Sequence, residues 1–68
     1  MAVSNVEYDI LTVLQSKLEA VAAYEKYLQD CGQGSNQECR QLLEEIKRDD
    51  ERHAQRLREQ LKRLVTAA

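Results

Sequence analysis

The stretch CGQGSNQE, residues 31–38, divides the chain into two halves. It contains both glycines of the chain, and the chain has no proline. Glycine readily adopts the backbone conformations that end a helix. The last four residues, Ser35 to Glu38, fit the capping box, in which the serine and glutamate side chains satisfy free amides at a helix start. The stretch therefore predicts that one helix ends, a turn follows at about residues 31–35, and a second helix begins at about residue 36.

Another capping box, Ser-Asn-Val-Glu at residues 4–7, opens the first half. Apolar residues recur at steps of three and four through both halves, which is the spacing of one helix face. We therefore expect helices at about 4–30 and 36–64. They would fold back on each other as an all-α antiparallel hairpin, a single domain over residues 1–68.

A hairpin of this size is expected to need a partner. A chain of 68 residues buries only about 60% of its unfolded surface when it folds alone. The apolar faces are also broader than a two-stranded coiled-coil seam, because a second row of Leu and Val residues widens them. With three tyrosines and neither Phe nor Trp, the core is expected to consist of Leu, Ile, Val and Ala. We expect the hairpin to dimerise into an antiparallel four-helix bundle.

The formal net charge of −2 hides an asymmetry along the chain. Residues 1–30 are acidic and residues 51–68 are basic, each by three charges. The basic residues of the tail point in several directions around a helix, and Glu51 and Glu59 interrupt them, so they do not form the continuous stripe that follows nucleic-acid phosphates. We expect them to pair with the acidic first helix, and we expect no nucleic acid as a partner.

Neither a membrane nor a secretion route is indicated. No stretch approaches the roughly 18 apolar residues that a membrane span needs. The start of the chain carries Glu7 and Asp9, without the positive charge and long apolar run of a secretion signal. We therefore expect a cytoplasmic protein with no membrane partner.

The two cysteines, Cys31 and Cys39, flank the glycine turn and could face each other across it. In a reducing cytoplasm we favour two small buried thiols, with a disulfide between them as the alternative. A zinc site would need further soft ligands nearby, and the sequence has none.

Three polar residues interrupt the apolar stripes: Lys17 in the first helix, and Asp50 and His53 in the second. Asp50 and His53 stack on one helix face because they are three residues apart. A hairpin that turns near residue 33 or 34 pairs positions whose numbers sum to about 67, which brings Lys17 level with Asp50. Each residue alone has an ordinary structural explanation, such as a lysine extending to water. Together they predict a buried polar cluster that sets the helix register or carries chemistry.

Two segments, KLEAVAAY at residues 17–24 and LLEEIKRDDERHAQRL at residues 42–57, resemble ferritin-like proteins of the rubrerythrin, bacterioferritin and short encapsulated types. The resemblance covers nearly the whole chain. It implies a first-helix carboxylate and a second-helix Glu-x-x-His pair, two sets of which hold two irons between four helices. Lys17 stands at the carboxylate position, Asp50 replaces the glutamate, and His53 matches the histidine. Tyr24 matches the aromatic residue near the site.

These departures from the family pattern lead us to expect a degenerate site. We predict an ion pair of Lys17 with Asp50, a hydrogen bond from His53 beside it, and no cofactor. The chain would then be a homodimeric, non-catalytic ferritin-like module, with a ring of dimers as a larger form. The alternative is an iron-handling protein, a ferroxidase or a metal store, in which Asp50 and His53 of two subunits hold iron or another divalent transition metal. A nucleophilic Lys17 is disfavoured, since the nearby carboxylate stabilises its charged form.

Overall fold

The computed structural model describes residues 4–32, 34 and 36–67. Two helices, α1 (Asn5–Cys31) and α2 (Gln37–Ala67), pack against each other as an all-α hairpin, as predicted. The predicted starts of both helices and the end of α1 agree with the structure to within one residue, whereas α2 continues three residues past its predicted end. No helix in the described ranges is long and apolar enough to cross a membrane.

The start of α1 follows the predicted capping scheme. Ser4 has an extended backbone conformation, and its Oγ accepts a hydrogen bond from the amide of Glu7 at 3.1 Å. This bond satisfies one of the amides that have no partner within the helix. In the corresponding box before α2, Ser35 lies outside the described residues.

The end of α1 depends on glycine. Gly32 has a φ of 60°, and its amide donates to the carbonyl of Gln29 at 3.0 Å. Gly34 follows with a φ of 87°. Residues with a Cβ rarely adopt positive φ, so these two glycines allow the chain to leave α1 and turn toward α2.

Asn36, just before α2, and Arg40, in the first turn of α2, hold the last turn of α1. Nη1 of Arg40 donates to the carbonyl of Leu28 at 3.1 Å and lies 3.5 Å from that of Gly32. Nδ2 of Asn36 donates to the carbonyl of Cys31 at 3.0 Å. The final carbonyls of a helix have no partners within it, so these side chains satisfy the end of α1 and fix the return of the chain.

Both cysteines are free thiols, so the alternative disulfide is not formed. Cys31 is half-buried and Cys39 is exposed. The expectation that both thiols are buried is therefore wrong for Cys39. The reason is that a two-helix hairpin has a single contact layer, which leaves this side of α2 uncovered near the turn.

The core of the hairpin is small. Among the described residues the buried hydrophobic side chains are those of Leu14, Tyr24 and Ala54. The molecule measures 53 × 15 × 13 Å, and its radius of gyration is 15.7 Å, against about 11 Å for a compact chain of this length. The exposed large hydrophobic residues of the described ranges are Val6, Tyr8, Leu11, Val13, Leu18, Tyr27, Leu42, Ile46 and Val65.

Candidate functional site

Asp50 lies at the centre of a polar cluster between the helices. Among the described residues, it is the charged residue whose side chain is buried. Nζ of Lys17 lies 3.1 Å from Oδ1 of Asp50, and the two groups form an ion pair. The hydroxyl of Tyr24 donates to Oδ2 at 3.1 Å. The ion pair that the hairpin register predicted is thus present, and the phenol completes the carboxylate's set of partners.

The spacing of α1 brings both donors to one carboxylate. Lys17 and Tyr24 are seven residues apart, which places them on the same face of the helix. Side chains on a helix lean toward its N-terminus, so the long Tyr24 ring extends back from the turn end toward Asp50. Its ring also packs edge to face against Tyr27, with the centroids 5.7 Å apart and an angle of 88°, a favoured arrangement of aromatic pairs.

Burial is unequal within the ion pair. The Lys17 side chain is 36% exposed, whereas that of Asp50 is 11% exposed. The prediction of a buried cluster therefore fits Asp50, whereas the Lys17 side chain is only part-buried. Lys17 covers apolar surface with its methylenes and keeps part of its charge hydrated, and the carboxylate alone bears most of the desolvation.

The surroundings of the cluster favour an ionised Asp50 and a neutral Tyr24. The hydrogen bond from Lys17 lowers the pKa of Asp50 below its ordinary value, burial opposes this change, and the bond from Tyr24 and the charges of Lys17 and His53 add to the lowering. Burial, followed by the hydrogen bond to Asp50 and its charge, raises the pKa of Tyr24. Proton donors therefore surround a carboxylate that stays charged at neutral pH.

His53 does not join this cluster. Its side chain is exposed, and no hydrogen bond recorded for the described residues involves it, so the prediction of a hydrogen-bonded histidine beside the ion pair is wrong. A step of three residues rotates a helix position by about 60° from the starting direction, which turns His53 away from α1. Ala54, only 4% exposed, faces α1 instead.

Some of these contacts can be anticipated from the sequence, and others cannot. The family resemblance places Tyr24 near the site, but its hydrogen bond to Asp50 depends on how far the ring reaches back along α1. Ala54 gave no polar or large apolar signal, although small residues allow two helices to approach closely. Its role became visible only from the packing.

The cluster does not fit a resident metal within one chain. Lys17 brings a positive charge to the position where the resemblance implies a carboxylate ligand, and both oxygens of Asp50 accept hydrogen bonds. Across residues 4–32, 34 and 36–67, no group of three or more His, Cys, Asp and Glu side chains is arranged to hold a metal ion. A site shared between two subunits stays a prediction.

The basic end of α2 does not pair with α1 as predicted. The ion pairs of the described residues join Lys17 to Asp50, Lys26 to Asp30, Arg40 to Glu44, and Arg52 to Asp49. Only the first of these connects the two helices. The other three form within one helix, where residues three or four positions apart are already neighbours.

An open groove runs along one side of α1, away from the polar cluster. The residues that line it are Leu11, Leu14, Gln15, Leu18, Glu19 and Ala22. It brings no titratable group near Asp50.

Comparisons with known proteins gave no match for this chain among protein-family models, curated proteins or solved structures. The resemblance to ferritin-like proteins therefore rests on the two quoted segments and on the positions of Lys17, Tyr24, Asp50 and His53 within them.

Proposed function

We propose that this chain is a non-catalytic self-association module, a ferritin-like helical hairpin that pairs with a second copy to complete a four-helix bundle. The observation that supports the proposal is the bonding of Asp50, whose two oxygens are held by Lys17 and Tyr24. In ferritin-like proteins a carboxylate at this position is a metal ligand. Here its charge is satisfied by groups of the same chain.

Charge balance supports the same proposal. An intact di-iron site gathers four carboxylates, about −4, against two divalent ions, about +4, and without metal the crowded carboxylates repel one another. A dimer of this chain would gather two Asp50 and two Lys17, which together are neutral. No metal is needed to stabilise the bundle, and the two ammonium groups would oppose the binding of a cation.

The cluster would then serve to fix the register of the helices. A buried carboxylate is costly unless it is paired and hydrogen-bonded. If α1 slid by one turn along α2, Asp50 would lose Lys17 and Tyr24 together. The observed alignment supplies both donors to Asp50, so the cluster favours it over alignments that separate the carboxylate from them.

The rival function is metal binding between two subunits through Asp50 and His53, as in an iron store or a ferroxidase. Its one favourable observation is that His53 is exposed and lies one helix turn from Asp50. Against it, the ammonium group of Lys17 lies 3.1 Å from Oδ1 of Asp50 and would repel a cation bound there. We therefore expect the metal-free module to be the form of the protein that functions.

Oligomer mass and metal content test the proposal directly. Protein purified without a chelating tag should be a dimer, or a ring of dimers, by light scattering. Elemental analysis should give far less than one transition-metal ion per dimer. Stoichiometric iron, cobalt or zinc that depends on Asp50 and His53 would establish the rival function instead.

Lys17→Glu sharpens this test by restoring a carboxylate at the family's ligand position. We expect the variant to be less stable than the wild type without metal, because like charges then meet at Asp50, and to regain stability when divalent metal is added. Lys26→Glu is the matched control, since it reverses a charge on the same helix at an exposed ion pair. An equal response of wild type, variant and control to metal would show that Lys17 does not stand at a ligand position.

The cytoplasm is our proposed compartment. The free thiols of Cys31 and Cys39 are consistent with a reducing environment, in which disulfides are rare. Growth of the dimer into a ring would need a second contact surface on each hairpin.

A further inference from the structure

We infer that the second copy docks on one particular side of the hairpin. This inference rests on the proposed function and adds the location of the contact. The surface, here called the open face, consists of Val6, Val13, Tyr27, Leu42, Ile46 and His53. All six side chains are exposed in the single hairpin.

On α1, the open face consists of residues separated by seven residues or by a multiple of seven. Lys17 and Tyr24 face α2, as their bonds to Asp50 show. Tyr27 lies three residues after Tyr24, a rotation of about 60° from the contact between the helices. Val13 and Val6 continue the row toward the N-terminus of α1, at steps of fourteen and seven residues.

On α2, the equivalent row lies at the same offset. His53 is three residues after Asp50, which faces α1. Ile46 is seven residues before His53, and Leu42 is one turn further toward the start of α2. His53 thus belongs to an apolar row. Its position in the sequence predicts a core residue, but the hairpin leaves it exposed.

The two rows lie on the same side of the molecule. An approximate two-fold axis, perpendicular to the plane that contains the two antiparallel helices, exchanges one helix with the other. Rotation about this axis leaves each residue on the same side of that plane. Residues that follow the contact positions by equal steps therefore emerge on one side. The open face spans both helices and contains five of the nine exposed large hydrophobic residues of the described ranges.

The opposite side is a poorer docking surface. Leu11 and Leu18 lie there on α1 and line the open groove. The corresponding flank of α2 carries exposed charged residues, among them Arg58 and Lys62. Charged residues are depleted at the centres of protein interfaces, so the open face, with five of the nine exposed large hydrophobic residues of the described ranges, offers an apolar partner the larger contact.

The area of the hairpin fits a second copy as the occupant. Its accessible surface is 5480 Å², whereas a compact monomer of 7.9 kDa exposes about 4,400 Å². The surplus, about 1,000 Å², is close to the about 800 Å² that each partner buries in a stable interface. Two open faces packed together would remove this surplus from both copies and form a four-helix core.

Charge complementarity points to the same occupant. The N-terminal end of α1 carries Glu7 and Asp9, and the C-terminal end of α2 carries Arg56 and Arg63. Within the described ranges no ion pair joins these two ends inside one hairpin. If α1 of one copy lies on α2 of the other, acidic and basic ends meet across the interface and favour association.

Paired substitutions on the two sides test the location. We expect Leu42→Glu with Ile46→Glu to raise the dimer dissociation constant by about 100-fold or more in sedimentation equilibrium, since each change places a charge in an apolar contact. Leu11→Glu with Leu18→Glu is the matched control on the opposite side. It should change the dissociation constant by about threefold or less, the effect of substitutions outside a contact.

A second measurement separates lost docking from lost folding. With Cys31→Ser and Cys39→Ser as background, single Ile46→Cys and Leu11→Cys variants are labelled with a maleimide at low and high protein concentration. Labelling of Ile46→Cys should slow as the dimer forms, and labelling of Leu11→Cys should not, because only a thiol covered by the partner is protected.

The outcomes distinguish the two proposals. Protection of Leu11→Cys alone, or dissociation by the Leu11 and Leu18 pair alone, overturns the docking face and leaves self-association intact. A wild type that is monomeric at every concentration tested overturns both. Protection of Ile46→Cys, with dissociation by the Leu42 and Ile46 pair, supports both.

Discussion

Side chains join α1 and α2 at two places, and the partners they use differ. Near the turn, Asn36 and Arg40 donate to backbone carbonyls 5 and 12 residues earlier in the chain. In the middle of the hairpin, Lys17 and Tyr24 donate to the side chain of Asp50, across 33 and 26 residues. Every residue offers a carbonyl, but only one position in α2 offers this carboxylate. The turn brings the helices together, and the middle selects their alignment.

The largest effect should come from breaking the middle contact. We expect Lys17→Ala to lower the free energy of unfolding by about 2 kcal/mol, because it leaves the Asp50 carboxylate buried without its counterion. The value lies below the about 3–5 kcal/mol typical of fully buried pairs, since Lys17 is partly hydrated. Thermal unfolding at fixed protein concentration measures the change.

Lys26→Ala is the matched control for this substitution. Lys26 pairs with Asp30 on the surface of α1, where ion pairs contribute little, so its loss should leave the melting temperature nearly unchanged. Equal melting temperatures for Lys17→Ala and the wild type would show that the middle contact does not stabilise the hairpin.

Acid should weaken the same contact by a smaller amount. The pKa of Asp50 is lowered in the folded state, so its contribution to stability is present above the ordinary carboxyl pKa of about 3.9. That contribution is lost as the pH falls from about 4 through the lowered folded value. The effect should be smaller than that of Lys17→Ala, because a protonated Asp50 still forms hydrogen bonds.

Melting temperatures between about pH 2 and 6 test this step. Asp50→Asn has no titrating group at this position, so its melting temperature should fall less over the acid part of the range than that of the wild type. Parallel curves for the two proteins would contradict the assignment of this step to Asp50.

The smallest effect should come from the turn. We expect Arg40→Ala to lower the free energy of unfolding by about 1 kcal/mol, the net value of an ordinary hydrogen bond, since water can replace Arg40 at the partly exposed carbonyl of Leu28. Arg52→Ala is the control, because Arg52 bonds only within α2. A larger loss for Arg40→Ala than for Lys17→Ala would reverse the comparison and make the turn the main source of stability.

The height of the polar cluster along the two helices could be predicted because it depends only on the number of residues between the turn and each side chain. Once the turn is placed at residues 31–35, the fixed rise per residue in two helices brings Lys17 level with Asp50. The rotation of each helix could not be predicted in the same way. The apolar faces are broad, and a broad face is compatible with several rotations about the helix axis.

Misplacement of His53 illustrates this limit of periodicity. His53 continues the apolar row of α2 in the sequence, yet Ala54 faces α1 in the structure. A row of apolar positions along a helix indicates that another helix covers that side of it. The row does not indicate whether this helix belongs to the same chain or to a second copy. In the proposed dimer the same row would be covered by the second copy.

By itself, the sequence determined two helices, the cap at the start of α1, the turn between the helices, and the alignment that pairs Lys17 with Asp50. These features follow from local backbone preferences and from fixed helix geometry. Only the tertiary structure decided that Tyr24 bonds to Asp50, that Ala54 lies in the contact and that His53 stays outside it. The rotation of a helix about its axis is set by the contacts of both helices together, and no segment of the chain encodes it alone.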